Sequence, residues 1–375
     1  MNHVTERNNP TALYVLGSLY PHVTGGMEIF NYYFLKRMLA DRYHTIYYLG
    51  DLKTDSDGGH FIPFKKRWPV RLFYPFQFFI AVFKLRKIIN YVYLSNSKQS
   101  WIIPFSQSLI LRLFKIPYFV TIHWGKGPRW NFKYPFSYYF RHAKSVIGVS
   151  EPICHAFKKV IPDTDFLYIP PLIPFRQSLK SREELKEKLG FGSQQKILLF
   201  AGTLKAMKNP DKIVEAFHKI GPAFLEKHHI LLLFAGKGDM EAELREKIGN
   251  YGLDKFVRMQ GWISREELPD YFKAADFYII SSDYEGTSIS LLEAMVNRLS
   301  IIASDAPGIN GMLAHEKNAL LYDTKSITQL AETLERIFLD CSLADRLADQ
   351  AFRDFGDKYS YESMIEKYKA VFASI

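Results

Sequence analysis

Short apolar runs alternate along this chain with longer segments of helical period. The runs hold three to six residues and are almost entirely apolar, as in parallel strands that are buried on both faces. An alternation of strand and helix predicts a doubly wound α/β sheet. In the first half, strands are predicted at 13–17, 44–49, 101–105, 118–123 and 145–149. In the second half, they are predicted at 197–201, 230–235, 257–260, 277–280, 301–303 and 319–322.

Two domains are expected from a chain of 375 residues, because single cores seldom grow to that size. The proline-rich stretch 169–174 is the predicted end of the first domain. We therefore expect domains at 1–175 and 176–359. A helix is predicted over 361–372, within a terminal segment of about 360–375 that would cross back onto the first domain.

Charge is distributed unevenly between the halves. Residues 1–175 hold 22 Lys and Arg against 9 Asp and Glu, and 37 of the 58 aromatic residues. Residues 176–375 hold 27 basic against 30 acidic residues. The basic, aromatic half is suited to an anionic and partly apolar partner, such as a membrane or a lipid-linked substrate. Nucleic acid is the rival partner, but the chain has no helix-turn-helix, zinc-finger or RNP-type pattern, so we expect none.

One segment concentrates these properties. Lys65, Lys66, Arg67 and Arg71 precede a cluster of aromatic residues at 73–79, a composition suited to anionic headgroups and the interfacial layer. We expect contact with the membrane or the acceptor there. The alternative is a solvated loop beside a buried helix, because 76–91 is apolar nearly all round.

The expected location is cytoplasmic, at the inner face of the membrane. Cys154 and Cys341, the two cysteines, predict neither a disulfide framework nor a metal site. The first residues lack the apolar core of a signal peptide, and the longest apolar run, 73–83, is too short to span a bilayer.

The segment 285–295, E-G-T-S-I-S-L-L-E-A-M, carries the most chemistry. It follows an apolar strand, turns through Gly286 and opens a helix, so its backbone N–H groups and positive dipole end can receive a phosphate. Glu293 lies in the second helical turn, at the edge of the apolar arc. An acid there needs a hydrogen-bond donor as partner, and a sugar hydroxyl is one candidate.

The spacing E-x7-E followed by E-A-M and the strand at 300–305 resembles the signature of retaining GT-B glycosyltransferases of family 4. This resemblance implies two Rossmann-like doubly wound domains that face a central cleft. The first domain would bind the acceptor and the second the nucleotide-sugar. Ordinary surface acids on a βα unit are the alternative interpretation of Glu285 and Glu293.

The resemblance also implies roles for individual residues. Gly202 to Pro210 resembles the family's G-R-L-x3-K-[GN] segment, in which Lys208 reaches a diphosphate, although Thr203 stands where the family has arginine. Gly25-Gly26 with Glu28 resembles the family's G-G-x-E loop, and His123 its strand-terminal histidine. The implied catalytic residues are His123, Lys208 and Glu285. The implied donor-binding residues are Gly26, Thr203, Lys208, Gly236, Gly286, Thr287, Ser288 and Glu293.

The resulting expectation is a retaining hexosyltransferase that uses a UDP-sugar, or else a GDP-sugar, as donor. The acceptor would be lipid-linked or a glycan, in the assembly of a cell-surface polysaccharide or glycolipid. No cofactor and no metal are expected, since no Asp-x-Asp follows an apolar strand. The alternatives are a nucleotide-sugar epimerase of GT-B fold and a non-catalytic nucleotide-sugar-binding subunit, which Thr203 and Arg298 keep open.

Overall fold

A computed structural model describes residues 10–17, 26–40, 45–50, 59–63, 70–96, 102–123, 133–171 and 174–374. The chain divides into two compact units. The first comprises Met1–Pro174 together with Tyr361–Ile375, and the second comprises Phe175–Ser360.

The strands of the first unit are β1 Thr11–Gly17, β2 Thr45–Gly50, β3 His60–Pro63, β4 Tyr91–Asn96, β5 Tyr118–Ile122, β6 Ser145–Gly148 and β7 Phe166–Tyr168. Those of the second unit are β8 Lys196–Ala201, β9 Ile230–Ala235, β10 Val257–Gly261, β11 Phe277–Ile280, β12 Ser300–Ser304 and β13 Leu320–Tyr322.

The helices are α1 Gly26–Ala40, α2 Val70–Leu85, α3 Ile102–Leu113, α4 Lys133–Arg141, α5 Glu151–Val160, α6 Arg182–Lys188, α7 Pro210–Ile220, α8 Pro222–Lys227, α9 Glu241–Asn250, α10 Leu268–Ala274, α11 Ile289–Val296, α12 Ile327–Leu339, α13 Cys341–Tyr359 and α14 Tyr361–Phe372. Among the described helices, none combines the length and the apolar character that crossing a bilayer requires.

Both sheets are parallel within the described residues. The first has the strand order β3-β2-β1-β4-β5-β6-β7 and the second has β10-β9-β8-β11-β12-β13. In each sheet the order reverses beside the unit's first strand, between β1 and β4 and between β8 and β11. The predicted doubly wound α/β architecture is therefore confirmed, and each sheet has one topological switch point at which such folds bind ligands.

The central strands are buried because helices cover both faces of each sheet. Every residue of β9, β11 and β12 is buried, which explains the continuous apolar runs in their sequences. In the first unit, α14 completes one layer of the core. Its Met364, Ile365, Tyr368 and Phe372 are buried with residues of β1, β4 and α1.

The predicted strand at 101–105 is wrong, because residues 102–113 form the helix α3. Its buried face consists of Ile103, Pro104, Gln107, Ser108 and Leu111, which recur with helical period. Two of those buried positions are polar, so the apolar residues of this segment do not show the helical period. Gln107 Nε2 donates to Tyr74 Oη at 3.0 Å and Ser108 Oγ to the carbonyl of Phe105 at 2.8 Å, so both can be buried without losing their hydrogen bonds.

Three strands were not predicted. β3 and β7 lie at the two edges of the first sheet and are short. β4 is central, but the apolar segment before it extends to Tyr91, so the sequence predicted a continuing helix there. The helix α2 ends at Leu85, and the turn at 86–88 separates it from β4.

Candidate active site

The switch point of the second sheet brings together two residues that are far apart in sequence. Lys208 follows β8 and Glu285 follows β11, and these strands are neighbours. Lys208 Nζ donates to Glu285 Oε1 at 2.9 Å. Both side chains are mostly buried, with exposed fractions of 21% and 14%. The structure therefore places a lysine and a carboxylate where doubly wound folds bind ligands.

Glu285 is held from a second side and by its backbone. Ser282 Oγ donates to the same carboxylate oxygen at 2.6 Å, and the Glu285 N–H donates to the carbonyl of Pro307 at 3.0 Å. Gly308 lies so close that a Cβ on it would stand 1.9 Å from the Glu285 carbonyl oxygen. Its φ of +91° is also one that side chains disfavour. The 307–308 loop therefore packs directly on the segment that carries Glu285.

Asn209 fixes the segment that carries Lys208. It has a left-handed φ of +46° and donates from Nδ2 to the Ser281 carbonyl at 2.9 Å and to Asp283 Oδ1 at 2.7 Å. In return, Ser281 Oγ donates to the Lys208 carbonyl at 2.5 Å. The sequence analysis did not identify Asn209, Ser281 or Ser282 as functional. Asn before the Pro210 that starts α7 was the available signal.

Two glycine turns form the floor beside this pair. The Lys208 side chain lies over Gly202, whose ideal Cβ would meet Lys208 Nζ at 3.6 Å. A Cβ on Gly236 would stand 1.8 Å from the Gly202 carbonyl oxygen. Only glycine permits that approach of the turns after β8 and β9, so the predicted site residue Gly236 shapes the backbone of the site.

Gly286, Thr287 and Ser288 lead from Glu285 into α11. Ser288 is the N-cap, and its Oγ accepts from the Leu291 N–H at 3.3 Å. Ser290 Oγ lies 3.2 Å from Ser288 Oγ and accepts from Tyr278 Oη at 2.8 Å. The cap holds the amino end of α11 beside the Lys208–Glu285 pair, and its positive dipole end favours an anion there.

Glu293 is the most perturbed carboxyl group of this unit. Burial raises its pKa to about 7, although the guanidinium of Arg265 opposes the shift. Arg265 Nη1 lies 3.8 Å from Glu293 Oε1, and only 14% of the Glu293 side chain is exposed. The sequence analysis predicted a buried acid that needs a donor partner. It did not identify Arg265, which lies between β10 and α10.

The first unit has its own polar cluster at the carboxyl ends of β4 and β5. His123 Nε2 lies 3.0 Å from Ser95 Oγ, which donates to Asn31 Oδ1 at 2.6 Å. Asn31 Nδ2 donates in turn to the Leu16 carbonyl. Because the only hydroxyl proton of Ser95 is used on Asn31, His123 must donate from Nε2, which leaves Nδ1 as the acceptor. Burial lowers the pKa of His123 to about 3, so the ring is neutral at physiological pH.

The other predicted residues are less informative. Thr203 is exposed at the end of β8 and carries no charge. Gly26 is the first residue of α1. Lys65, Lys66 and Arg67 lie outside the described residues, and Arg71 belongs to α2 with its side chain outside the description. Within the described ranges, no three His, Cys, Asp or Glu side chains form a group that could hold a metal ion.

Several known proteins resemble this chain in sequence or in fold. The family Glycosyl transferases group 1 matches residues 181–354. An uncharacterized glycosyltransferase of Methanocaldococcus jannaschii is 27% identical over 51% of this chain and 48% of its own length. The alpha-monoglucosyldiacylglycerol synthase of Streptococcus pneumoniae is 29% identical over 37% of this chain and 31% of its own. The chain thus matches half or less of these relatives' length.

Solved structures extend the likeness to nearly the whole chain. HepE of Anabaena, solved in complex with UDP, has a TM-score of 0.79 over 97% of this chain and all of its own, at 16% identity. Likeness at that identity shows the fold, which is GT-B. The second unit contains both the stretch that this family matches and the Lys208–Glu285 site.

Proposed function

We propose that the protein is a glycosyltransferase that moves a hexosyl group from a nucleotide-sugar to an acceptor with retention of configuration. The observation that carries this proposal is the Lys208–Glu285 pair at the β8–β11 switch point, 2.9 Å apart and mostly buried. A lysine at such an edge, beside a helix amino end, is suited to a diphosphate. A carboxylate beside it is suited to sugar hydroxyls, which are hydrogen-bond donors.

Binding of the donor would exchange partners within this pair. The diphosphate competes with Glu285 for Lys208 Nζ and carries more negative charge than one carboxylate. Glu285 keeps its hydrogen bond from Ser282 Oγ, so the carboxylate stays in place when the lysine leaves it. Its free oxygen positions can then accept from hydroxyls of the donor sugar. The protein's part is positioning and charge stabilisation of the leaving diphosphate.

Glu293 is the proposed ligand of the nucleotide ribose. Ribose hydroxyls donate hydrogen bonds, and the ionised carboxylate accepts them better than the protonated one. Because its pKa is about 7 in the described state, the carboxyl group is poised to lose its proton when a donor of hydrogen bonds arrives. Arg265 keeps it from being an isolated buried charge.

In the proposed reaction, the departing diphosphate takes the acceptor's proton on the same face of the sugar. Lys208 stabilises the negative charge that develops on that diphosphate, so we propose that turnover needs no divalent metal and no cofactor. His123 takes part as a neutral group with its Nδ1 as acceptor. Thr203 contributes no charge, which leaves Lys208 as the principal cation of this site.

The donor and the acceptor are proposed from the relatives and from the composition of the first half of the chain. HepE has been solved with UDP and with UDP-glucose, which favours a UDP-sugar over a GDP-sugar. The pneumococcal relative is named for a glucosylated diacylglycerol, and the first half of this chain is basic and aromatic. We therefore propose a lipid-linked or glycan acceptor in polysaccharide or glycolipid assembly, with the protein peripheral at the cytoplasmic face of the membrane.

The test replaces Lys208 by Met and follows nucleotide release from UDP- and GDP-sugars with an acceptor panel. A charge-assisted hydrogen bond contributes about 1.5–3 kcal/mol, so kcat/KM should fall roughly 10- to 150-fold. Lys205→Met, an exposed neighbour, should change it little. Near-normal activity of the folded Lys208→Met protein would contradict the proposal.

Four further results decide between this function and its alternatives. The product's anomeric configuration, determined by NMR, must match that of the donor. Turnover in EDTA must equal turnover in Mg²⁺. Release of nucleotide without any acceptor, with a changed sugar configuration, would indicate an epimerase. Nucleotide-sugar binding without turnover on every acceptor would indicate a non-catalytic subunit.

A further inference from the structure

The helices α2 and α3 of the first unit leave a joint apolar face uncovered. α2 buries Phe78, Ala81, Val82 and Leu85, a stripe of helical period that packs on the sheet. Its opposite side carries Phe76 and Phe83, which are 62% and 45% exposed. The helix therefore has apolar side chains on both its buried side and its exposed side. Two of its aromatic side chains, Phe76 and Phe83, face outward.

Two aromatic rings of α2 and the ring that follows α3 form one cluster. The rings of Phe79 and Phe83 lie 6.0 Å apart, and that of Phe114 lies 5.8 Å from the first and 6.1 Å from the second. Leu113, next to Phe114, is 69% exposed, and Leu109, one turn earlier on α3, is 44% exposed. A contiguous apolar surface of this kind marks an interaction site, whereas scattered exposed residues do not. We call these residues, with Phe76, the α2–α3 face.

Positive charge borders the α2–α3 face at the ends of both helices. Lys84, Arg86 and Lys87 lie at the end of α2, and Arg112 and Lys115 at the end of α3. Arg86 stacks over the Phe83 ring, with its guanidinium carbon 3.8 Å from the ring centroid. In the sequence, residues 58–150 contain 15 Lys and Arg and not one Asp or Glu. The elements that form this face therefore carry no acidic residue of their own.

We infer that the α2–α3 face docks on an anionic lipid bilayer, with Phe76, Phe83 and Leu113 in the interfacial layer and the surrounding cations at the headgroups. Aromatic and leucine side chains beside Lys and Arg are the composition that binds such surfaces. A second copy of this chain is a poor occupant, because a symmetric contact would bring the two basic rims together. Nucleic acid would satisfy the cations and leave the exposed apolar side chains without a partner.

This inference rests on the proposed function, because a lipid-linked acceptor would be presented at the membrane surface on which the α2–α3 face docks. Docking itself can be measured apart from catalysis. The sequence predicts membrane contact at Lys65, Lys66, Arg67 and Arg71, whereas the α2–α3 face consists of different residues whose positions are described.

The experiment is flotation of the full chain with vesicles of phosphatidylcholine alone or mixed with phosphatidylglycerol. We expect binding that requires the anionic lipid and weakens as salt rises. Phe76→Ser with Leu113→Ser should weaken it by at least about tenfold, since the apolar contact contributes in proportion to its area. Lys84→Ser with Lys87→Ser should weaken it roughly 25-fold, at about fivefold for each cation.

Matched controls lie in the second unit. Leu179→Ser with Leu339→Ser removes two apolar side chains that are likewise exposed, at 103% and 57%. Lys219→Ser with Lys227→Ser removes two exposed cations. Both controls should bind vesicles as the unaltered chain does. Calorimetry with UDP should give the same affinity for all four variants, which reports that the fold and the proposed donor site are intact.

Several results would overturn the inference. One is that the unaltered chain binds neither kind of vesicle, and another is that the control variants lose as much binding as the α2–α3 variants. Undiminished vesicle binding by both α2–α3 variants would also overturn it. Concentration-dependent dimers that disappear on Phe76→Ser with Leu113→Ser would assign the face to a second copy. Binding of a DNA duplex that competes with the vesicles and depends on the same residues would assign it to nucleic acid. Failure of the unaltered chain to bind either UDP or GDP, with vesicle binding intact, would refute the proposed function alone.

Discussion

At the scale of the residue, Glu293 links the proposed ribose site to the stability of the second unit. Its pKa of about 7 lies above its ordinary value of 4.5 because the side chain is buried. The folded state therefore binds more protons than the unfolded state between these pH values. The contribution of Glu293 to the stability of the folded state is then highest below pH 4.5 and falls as the pH rises through about 7. The ionised Glu293 carboxylate therefore destabilises the folded state. A buried acid of this kind is expected where the residue serves a function.

We predict that Glu293→Gln removes this pH dependence. A shift of that size corresponds to about 3 kcal/mol, so the variant should exceed the unaltered protein in unfolding free energy by about 3 kcal/mol at pH 8. Near pH 4.5 the difference should be close to zero. Urea unfolding at a series of pH values measures it, and the same variant should bind UDP more weakly.

Glu243→Gln, at an exposed position of α9, is the control and should leave the pH profile unchanged. A constant difference between Glu293→Gln and the unaltered protein from pH 4.5 to pH 8 would show that burial does not raise this pKa.

The sequence identified individual site residues but not the contacts between them. Lys208 and Glu285 were identified because the segments that carry them resemble the family's motifs. Each also follows an apolar strand, and the order of the sheet places both at one switch point. Their contact with each other could not be predicted, since 77 residues separate them. Arg265 was missed for the same reason. It approaches Glu293 from a different loop, and no local pattern indicates which cation a buried acid will meet.

At the scale of the element, Arg298 shows how a helix ends without glycine. α11 ends in a Schellman motif, in which the Arg298 N–H donates to the Met295 carbonyl and the Leu299 N–H to the Ala294 carbonyl. Arg298 takes a left-handed φ of +54°, a position that usually belongs to glycine. Its guanidinium lies over the Phe352 ring, 4.4 Å from the centroid, and 3.6 Å from Asp349. These contacts offset part of the backbone strain.

We predict that glycine at this position is more stable than alanine, the reverse of the usual helical preference. Alanine keeps the strain and loses both contacts, whereas glycine relieves the strain, at about 1 kcal/mol or slightly more. Urea unfolding of Arg298→Gly and Arg298→Ala compares the two directly.

The matched pair is Glu332→Gly and Glu332→Ala, at an exposed position inside α12. There alanine should be more stable than glycine by about 1 kcal/mol. The same order at both positions would contradict the left-handed conformation of Arg298. The sequence alone left Arg298 unassigned, because its role depends on the φ angle and on a helix 50 residues away.

Element prediction succeeded where the apolar pattern had one period and failed where two patterns met. All six strands of the second sheet were predicted because each apolar run ends in a glycine or polar turn. β4 was lost because α2 and β4 are both apolar, with only the turn at 86–88 between them. α3 was mistaken for a strand because Gln107 and Ser108 occupy buried positions.

At the scale of the whole molecule, the end of the chain belongs to the first unit. α14 follows the second unit in sequence, but Tyr368 and Phe372 are buried with Tyr14, Phe34 and Tyr91. The ring of Phe372 lies 5.2 Å from that of Tyr91 and 5.1 Å from that of Phe119. The core of the first unit is therefore complete only after the last helix has formed.

We predict that Phe372→Ala destabilises the first unit selectively. Deleting a buried phenylalanine costs about 3–5 kcal/mol, and that loss should appear where its neighbours lie. Hydrogen exchange followed by mass spectrometry should show reduced protection in β1, β4 and α1, with protection in β8 and β9 unchanged. Leu334→Ala, a fully buried position of α12, should give the converse pattern. If Phe372→Ala lowered protection in both units alike, α14 would have to be assigned to the stability of the entire chain, and the first unit would not be an independent cooperative unit that the terminal helix completes.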